Sequence, residues 1–213
     1  MTLFQNMTSF QFNSFILLKK ISSLLFLFIT QFNVFGQDHF PSGLKVGDIA
    51  PEFSVKDQRE NSIVLSEQIK DNQLVVFFYR GRWCPVCTKH LSKMQDSLKF
   101  ITDKGINVIA IVPEKTEYIE KTIKRTEASF SILYDKDHQI MDAYKVSYKE
   151  TGKNIQTYET WLNASFEKSH GNSDYTLPVP ATYIIDTTGK IKYVHFDTDY
   201  KNRASVKEIL DNL

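Results

Sequence analysis

Two spacings of apolar residues run along the chain and divide it into strands and helices. Leu74-Val75-Val76-Phe77-Phe78-Tyr79 is an unbroken β-prone run, the pattern of a strand covered on both faces. Ile106 to Val112 repeats it, with Pro113 as a stop, and Phe130 to Tyr134 is a shorter version. Between the first two runs Cys87, Leu91, Met94, Leu98 and Ile101 step by four, three, four and three. That spacing predicts one helix with a single buried stripe, ended by Gly105. Residues 114–128 are charged and helical in pattern, with Tyr118, Ile119 and Ile123 inward, and Ile140, Met141 and Tyr144 mark a short helix. Upstream, residues 44–55 read as an irregular lead-in ending in a short strand; Ile63-Val64-Leu65 is extended, and Ser66 is placed to cap a turn of helix.

Two further strands, Ala181–Ile185 and Lys190–Phe196, flank Asp186-Thr187-Thr188-Gly189, a hairpin turn with glycine at the left-handed position. Ser205 with Glu208 three residues on is a capping box for a last helix burying Val206, Ile209, Leu210 and Leu213. Residues 147–176 are polar and lack a clear period; Trp161, Leu162 and Phe166 suggest one short helix within an insertion there. The order β-α-β-α followed by a β-hairpin and a helix predicts one α/β domain with a mixed sheet flanked by helices.

The N-terminus departs from this pattern. Residues 1–36 hold eight of the 16 phenylalanines, no Asp or Glu, and only Lys19 and Lys20 as charges. The short apolar run Ile21–Ile29 follows the lysines, and Val34-Phe35-Gly36 precedes Gln37. A positive start, a short apolar core and a small residue at the end is the order of a secretory signal peptide. Cleavage is expected after Gly36, giving an exported protein, periplasmic or secreted, with no stable membrane insertion; an uncleaved N-terminal anchor is the alternative. The run falls short of the roughly 20 apolar residues of a membrane-spanning helix. Removing it changes the formal charge from +1 to −1, with 24 basic and 25 acidic residues left. Neither balance favours a nucleic-acid partner.

The chain has two cysteines, which excludes a multi-disulfide scaffold, and they stand three apart at Cys84 and Cys87. A loop that small does not staple a fold, so the pair points to redox chemistry. Strand 74–79 runs through Arg80-Gly81-Arg82-Trp83 into Cys84, and Pro85 suits the first helical position. Cys84 is therefore predicted at a helix N-terminus, where backbone N–H groups and the helix dipole favour a thiolate. Arg80 and Arg82 add positive charge. Cys87 lies one turn on, within the buried stripe. The expectation is an exposed, activated Cys84 that attacks and a buried Cys87 that resolves. Zinc is the competing use, with His90 as third ligand, but no second Cys or His cluster completes such a site. His90 is expected at the surface or behind the cysteines.

These residues resemble the thioredoxin-fold alkyl hydroperoxide reductase/thiol-specific antioxidant (AhpC/TSA) family, in its peroxiredoxin-like branch. The likeness covers residues 44–213 and rests on VGDIAPEF at 46–53, FYRGRWCPVC at 78–87, LPVPATYIIDTTGKIKY at 177–193, and DTDY with Arg203 near the end. It implies a thioredoxin-like α/β fold. It implies a cis-proline loop facing the cysteines at Val179-Pro180, with Val179 offering its backbone to a thiol-bearing substrate. It also implies peroxidase activity through Cys84 and Cys87, a thioredoxin-like reductant and no cofactor. The chain differs from a typical peroxiredoxin, which carries Pro-x-x-x-Thr-x-x-Cys, in having Phe77 and Gly81 at the Pro and Thr positions. Pro180-Ala181-Thr182 replaces the usual arginine and is more like thioredoxin; Arg80 and Arg203 are the arginines that can face Cys84. Thioredoxin's buried Asp is Phe78 here. Two activities follow: a thiol peroxidase acting on hydroperoxides, or a thiol–disulfide oxidoreductase acting on protein disulfides of exported proteins. A non-enzymatic redox sensor is the third reading.

Overall fold

The computed structural model describes residues 40–171 and 174–213, so the predicted leader at 1–36 lies outside the described residues. In chain order, β1 (Ser54–Lys56) and β2 (Ser62–Val64) form a hairpin that leads through one turn of helix, α1 (Leu65–Gln68), to β3 (Leu74–Phe78). Helices α2 (Pro85–Asp96) and α3 (Leu98–Thr102) follow, then β4 (Asn107–Val112), α4 (Thr116–Thr126), β5 (Ser131–Tyr134) and α5 (Gln139–Ala143). The segment 147–178 contains β6 (Ser147–Lys149), α6 (Lys153–Trp161), α7 (Phe166–Ser169) and β7 (Thr176–Pro178). The chain ends with β8 (Thr182–Ile185), β9 (Ile191–His195) and α8 (Val206–Asp211).

The main sheet has the order β5-β4-β3-β8-β9. β3, β4 and β5 run parallel, and β8 and β9 are antiparallel additions on the other side. β3 therefore lies at the centre, and its five residues are all buried. Successive side chains of a strand point to opposite faces. Leu74, Val76 and Phe78 enter one core with Phe53, Met141 and Tyr183; Val75, Phe77 and Tyr79 enter the other, with Cys87, Leu91 and Met94 of α2. A run that is apolar at every position is what this double burial requires. The α/β class and mixed sheet match the sequence reading.

Several details differ from it. The predicted helix through Ile101 breaks at Ser97, whose backbone leaves the helical region (φ −108°, ψ 4°). The stepping pattern survives the break because Leu98 and Ile101 still pack against the same core as Leu91 and Met94. Ser66 does not cap α1: Val64 holds that position, and the Ser66 N–H donates to Glu52 Oε1 at 3.1 Å. In the 147–176 insertion Trp161 ends one helix and is 80% exposed, while Phe166 begins another and is buried. β6 and β7 pair antiparallel and close the insertion on itself. Two strands of three residues carry too few positions for a period to show. Tyr158, Ala164, Phe166 and Leu177 of this polar stretch join the core on the cysteine side of the sheet.

Local chemistry sets the remaining turns. Asp186 Oδ1 accepts from the N–H groups of Thr188 and Lys190 and from the Thr188 hydroxyl, which holds the β8–β9 turn. Ser205 and Glu208 make both bonds of the capping box on α8. Among the described residues no helix is long and apolar enough to cross a membrane.

Candidate active site

The site forms where β3 ends and α2 begins. Tyr79 still bonds to the neighbouring strand (N–H to Ile111 O, 3.1 Å), and the chain then turns through Arg80-Gly81-Arg82-Trp83. Gly81 has φ +150°, and a Cβ there would lie 2.5 Å from Trp83 Nε1 and 2.9 Å from Glu114 Oε1. This position thus needs glycine both for its backbone and for its neighbours. The turn is tied by Cys84 N–H to Gly81 O at 3.2 Å and by Arg82 N–H to Glu114 Oε2 at 2.7 Å.

Cys84 is the N-cap of α2, with Pro85 at the first helical position. The Cys87 N–H donates to Cys84 Sγ at 3.3 Å, so one of the free helix donors ends on sulfur. Cys87 packs one turn later and receives a hydrogen bond from Arg203 Nη2 at 3.2 Å. Both are free thiols and both are buried, Cys84 at 1% exposure and Cys87 at 0%. The expectation of an exposed, charged Cys84 is corrected on both counts. The hydrogen bond it gives to Cys87, together with burial and the charge on Cys87, pushes the Cys84 thiol well above its ordinary range. Burial also works against charge on Cys87, yet the Cys84 hydrogen bond, Arg203 and Arg80 outweigh it and hold that thiol down to about 5. Each sulfur thus has a cation bearing on it, Arg80 for Cys84 and Arg203 for Cys87.

The arginines separate. Arg80 is 1% exposed and acts on Cys84. Its guanidinium lies 4.9, 4.6 and 4.4 Å from the ring centres of Trp83, Tyr158 and Tyr200. Glu150 stands 3.7 Å from Arg80 Nη2 and accepts from the hydroxyls of Tyr148 and Tyr158. Trp83 stacks on Tyr158 (4.9 Å) and meets Phe166 edge-on. The insertion thus supplies the counter-ion of Arg80 and one of the three rings around it. Arg82 bears on Glu114, through its backbone N–H and its charge.

Val179 and Pro180 lie in the loop joining β7 and β8, but the cis bond implied by the family resemblance is not there: among the described residues every peptide bond is trans. Ala181 N–H bonds back to Val179 O at 2.7 Å across Pro180. A three-residue turn of this kind suits proline's fixed φ and reverses the chain without a cis bond. Val179 N–H is also taken, by Val146 O at 2.7 Å. Of its two backbone groups the N–H is therefore taken, while the carbonyl keeps a second lone pair.

One buried group beside the cysteines escaped the sequence reading. Glu114 is 1% exposed, and burial pushes its carboxyl up to about 8 despite the Arg82 N–H it accepts. Phe78 pairs with Ile111 in the parallel β3–β4 ladder, so residues three further on, Gly81 and Glu114, come side by side; only that register reveals it. His90, expected at the surface or behind the cysteines, is buried at 7% exposure, stacks edge-on against Phe77, and is held down to about 4 by burial and by Arg203. Among the described residues no group of three or more His, Cys, Asp or Glu side chains is arranged to hold a metal.

A profile of the AhpC/TSA family matches residues 46–194. Peroxiredoxin Bcp of Escherichia coli K12 is 28% identical over 163 residues, spanning 76% of this chain and 92% of its own. The thiol-disulfide oxidoreductase ResA of Oceanobacillus iheyensis is 23% identical over 188 residues, spanning 87% and 80%. The crystal structure of peroxidoxin BcpB from Mycobacterium tuberculosis superposes with a TM-score of 0.60 at 20% identity, covering 79% of this chain and 96% of that one, and shares its fold. The family match spans more than half the chain and includes the strand, the Cys84–Cys87 turn and the helix built above: this protein belongs to the AhpC/TSA family.

Proposed function

We propose that this protein is a thiol-dependent peroxidase in which Cys84 takes oxygen from a hydroperoxide and Cys87 closes the disulfide. The observation that carries the assignment of roles is the placement of the pair: Cys84 caps α2 and accepts the Cys87 N–H, while Cys87 lies fully buried one turn on with Arg203 Nη2 at 3.2 Å. As the peroxide meets Cys84, its thiol proton passes to Cys87. The Cys84 thiolate, with the α2 N–H donor and Arg80 beside it, attacks the terminal oxygen. The S–O bond forms, the O–O bond breaks, and the leaving alkoxide takes the proton back from Cys87. The Cys87 thiolate then displaces hydroxide from the Cys84 sulfenic acid, forming the disulfide, which a thioredoxin-like dithiol reduces. The family's Thr and Pro positions are Gly81 and Phe77 here, so Arg80 is the charge left near the reacting sulfur.

The test is trapping. In Cys87→Ser, hydrogen peroxide followed by dimedone is expected to label Cys84; in Cys84→Ser no label is expected. A label on Cys87, or oxidation of the wild type no faster than a free thiol, rejects the assignment. A second reading, reduction of disulfides in exported proteins, is favoured by the contiguous Cys84-Pro85-Val86-Cys87 and by the ResA relative. Reduction of insulin disulfides alongside an unreactive peroxide assay would select it. Export itself is inferred from Lys19-Lys20 and the apolar run before Gly36.

A further inference from the structure

A surface loop carries two side chains to the redox site. After β9 the chain leaves Phe196, packed against the core that holds Phe53, and next enters the interior at Ala204, on the cysteine side of the sheet. Residues 197–203 between these anchors are neither helix nor strand. Asp197 organises them. Its Oδ1 accepts the Asp199 N–H at 2.8 Å, and its Oδ2 accepts from Asn202 Nδ2 at 2.7 Å, so one surface carboxylate ties the two ends of the loop together. Within the tie, Asp199 Oδ1 accepts the Lys201 N–H at 3.0 Å and the Asp199 carbonyl accepts the Asn202 N–H at 2.9 Å.

Two side chains reach inward from this loop. The Tyr200 ring lies 4.4 Å from the Arg80 guanidinium. Arg203 is held twice: its Nε donates to the Tyr200 carbonyl at 2.6 Å, and its Nη2 donates to Cys87 Sγ at 3.2 Å. A guanidinium is a rigid planar fork on a flexible stem, so a grip at Nε fixes where Nη2 points. The Tyr200 carbonyl therefore aims Arg203 at the sulfur, and the turn that Asp197 and Asn202 tie shut places that carbonyl. We propose that Asp197 and Asn202 are positioning residues for the redox pair, their hydrogen bond holding the 197–203 loop in the shape that keeps Arg203 on Cys87. This deepens the peroxidase reading, on whose assignment of Cys87 as resolving sulfur it rests, by naming a determinant that touches neither cysteine. With the tie broken, the half-buried Arg203 is free to turn to solvent, and the charge-assisted contact with Cys87 is lost. Cys87 then keeps Arg80, Glu114 and Tyr79 as the other charged or titratable groups bearing on it, from the turn after β3, the chain after β4 and the end of β3.

The experiment reads one thiol, without peroxide, so it can fail while the peroxidase assignment stands, and the reverse. In a Cys84→Ser parent, absorbance at 240 nm against pH reports Cys87 alone. Adding Asp197→Ala removes a negative charge, which by itself lowers the Cys87 midpoint; loss of Arg203 from the sulfur raises it. The sign therefore separates the two effects, and the midpoint is expected to rise by roughly half a unit to one unit. Asn202→Ala leaves the charge unchanged and is expected to act in the same direction. The exchange Asp197→Asn with Asn202→Asp rebuilds the tie with donor and acceptor reversed, keeps the net charge, and leaves an amide oxygen for the Asp199 N–H. It is expected to return the midpoint to that of the parent. In an Arg203→Met background, Asp197→Ala is expected to raise the midpoint no further. A midpoint that falls or stays put in Asp197→Ala, or an exchange that restores nothing, overturns the proposal. An equal rise with and without Arg203 overturns it as well, and assigns the effect to Tyr200 and Arg80.

Discussion

At the scale of single residues, the chemistry turns on where one proton and one charge sit. Cys84 has the helix N-terminus, while the Cys84 hydrogen bond and Arg203 at 3.2 Å pull the Cys87 thiol down. An opposite charge this close lowers a thiol by roughly one to three pH units. Replacing Arg203 with Met is therefore expected to move the first thiolate midpoint up from about 5 by one to three units. Absorbance at 240 nm across pH 4 to 10 reads it directly. A midpoint that stays put would mean that Arg203 does not hold the thiolate. The cysteines, Pro85, Trp83 and Arg80 were legible in the sequence because spacing and residue type alone mark a helix start with a redox pair. Which sulfur carries the charge was not legible, since Arg203 reaches Cys87 from 116 positions away.

At the scale of elements, the insertion is part of the site. Its polar composition and missing period gave it no role, yet Glu150, Tyr148 and Tyr158 surround the buried Arg80. Removing one partner of a buried ion pair leaves an uncompensated charge, at a cost of about 3–5 kcal/mol. Glu150→Ala is expected to lose about 3 kcal/mol in urea denaturation. The pair Arg80→Met with Glu150→Met is expected to lose less, because no charge is left buried. If the single variant proves the milder of the two, Glu150 is not the counter-ion that keeps Arg80 in place. The family resemblance also misled at this scale: Val179-Pro180 turns by a backbone hydrogen bond across a trans proline.

At the scale of the whole molecule, the parallel β3–β4 register brings Glu114 under the redox turn and buries it there. Its carboxyl titrates near 8 in the folded protein against an ordinary value of 4.5. The folded state thus binds the proton more tightly than the unfolded chain. The stability this confers is fully present below about 4.5 and is lost as pH rises through about 8. Glu114→Gln cannot ionise and escapes that loss. Relative to wild type, its unfolding free energy is expected to rise between pH 5 and 8, with a slope of up to about 1.4 kcal/mol per pH unit. Urea melts at half-unit intervals measure the difference, and a difference that is flat or falls with pH would show Glu114 to be ionised and solvated.

The sequence by itself determined what depends on neighbours along the chain. It marked the doubly buried strand from its unbroken apolar run, the start of α2 from Cys84-Pro85, the hairpin from Asp186 and Gly189, and the α8 cap from Ser205 and Glu208. These are local because a pleat, a helical turn and a cap each span only a few residues. The tertiary structure alone decided what those elements face. Sheet register placed Glu114 against Gly81, the folded insertion enclosed Arg80, and the segment before α8 carried Arg203 to Cys87. Burial then reset the protonation of each group, because an ionisable side chain answers to the charges and solvent around it in space, and its sequence neighbours supply few of them.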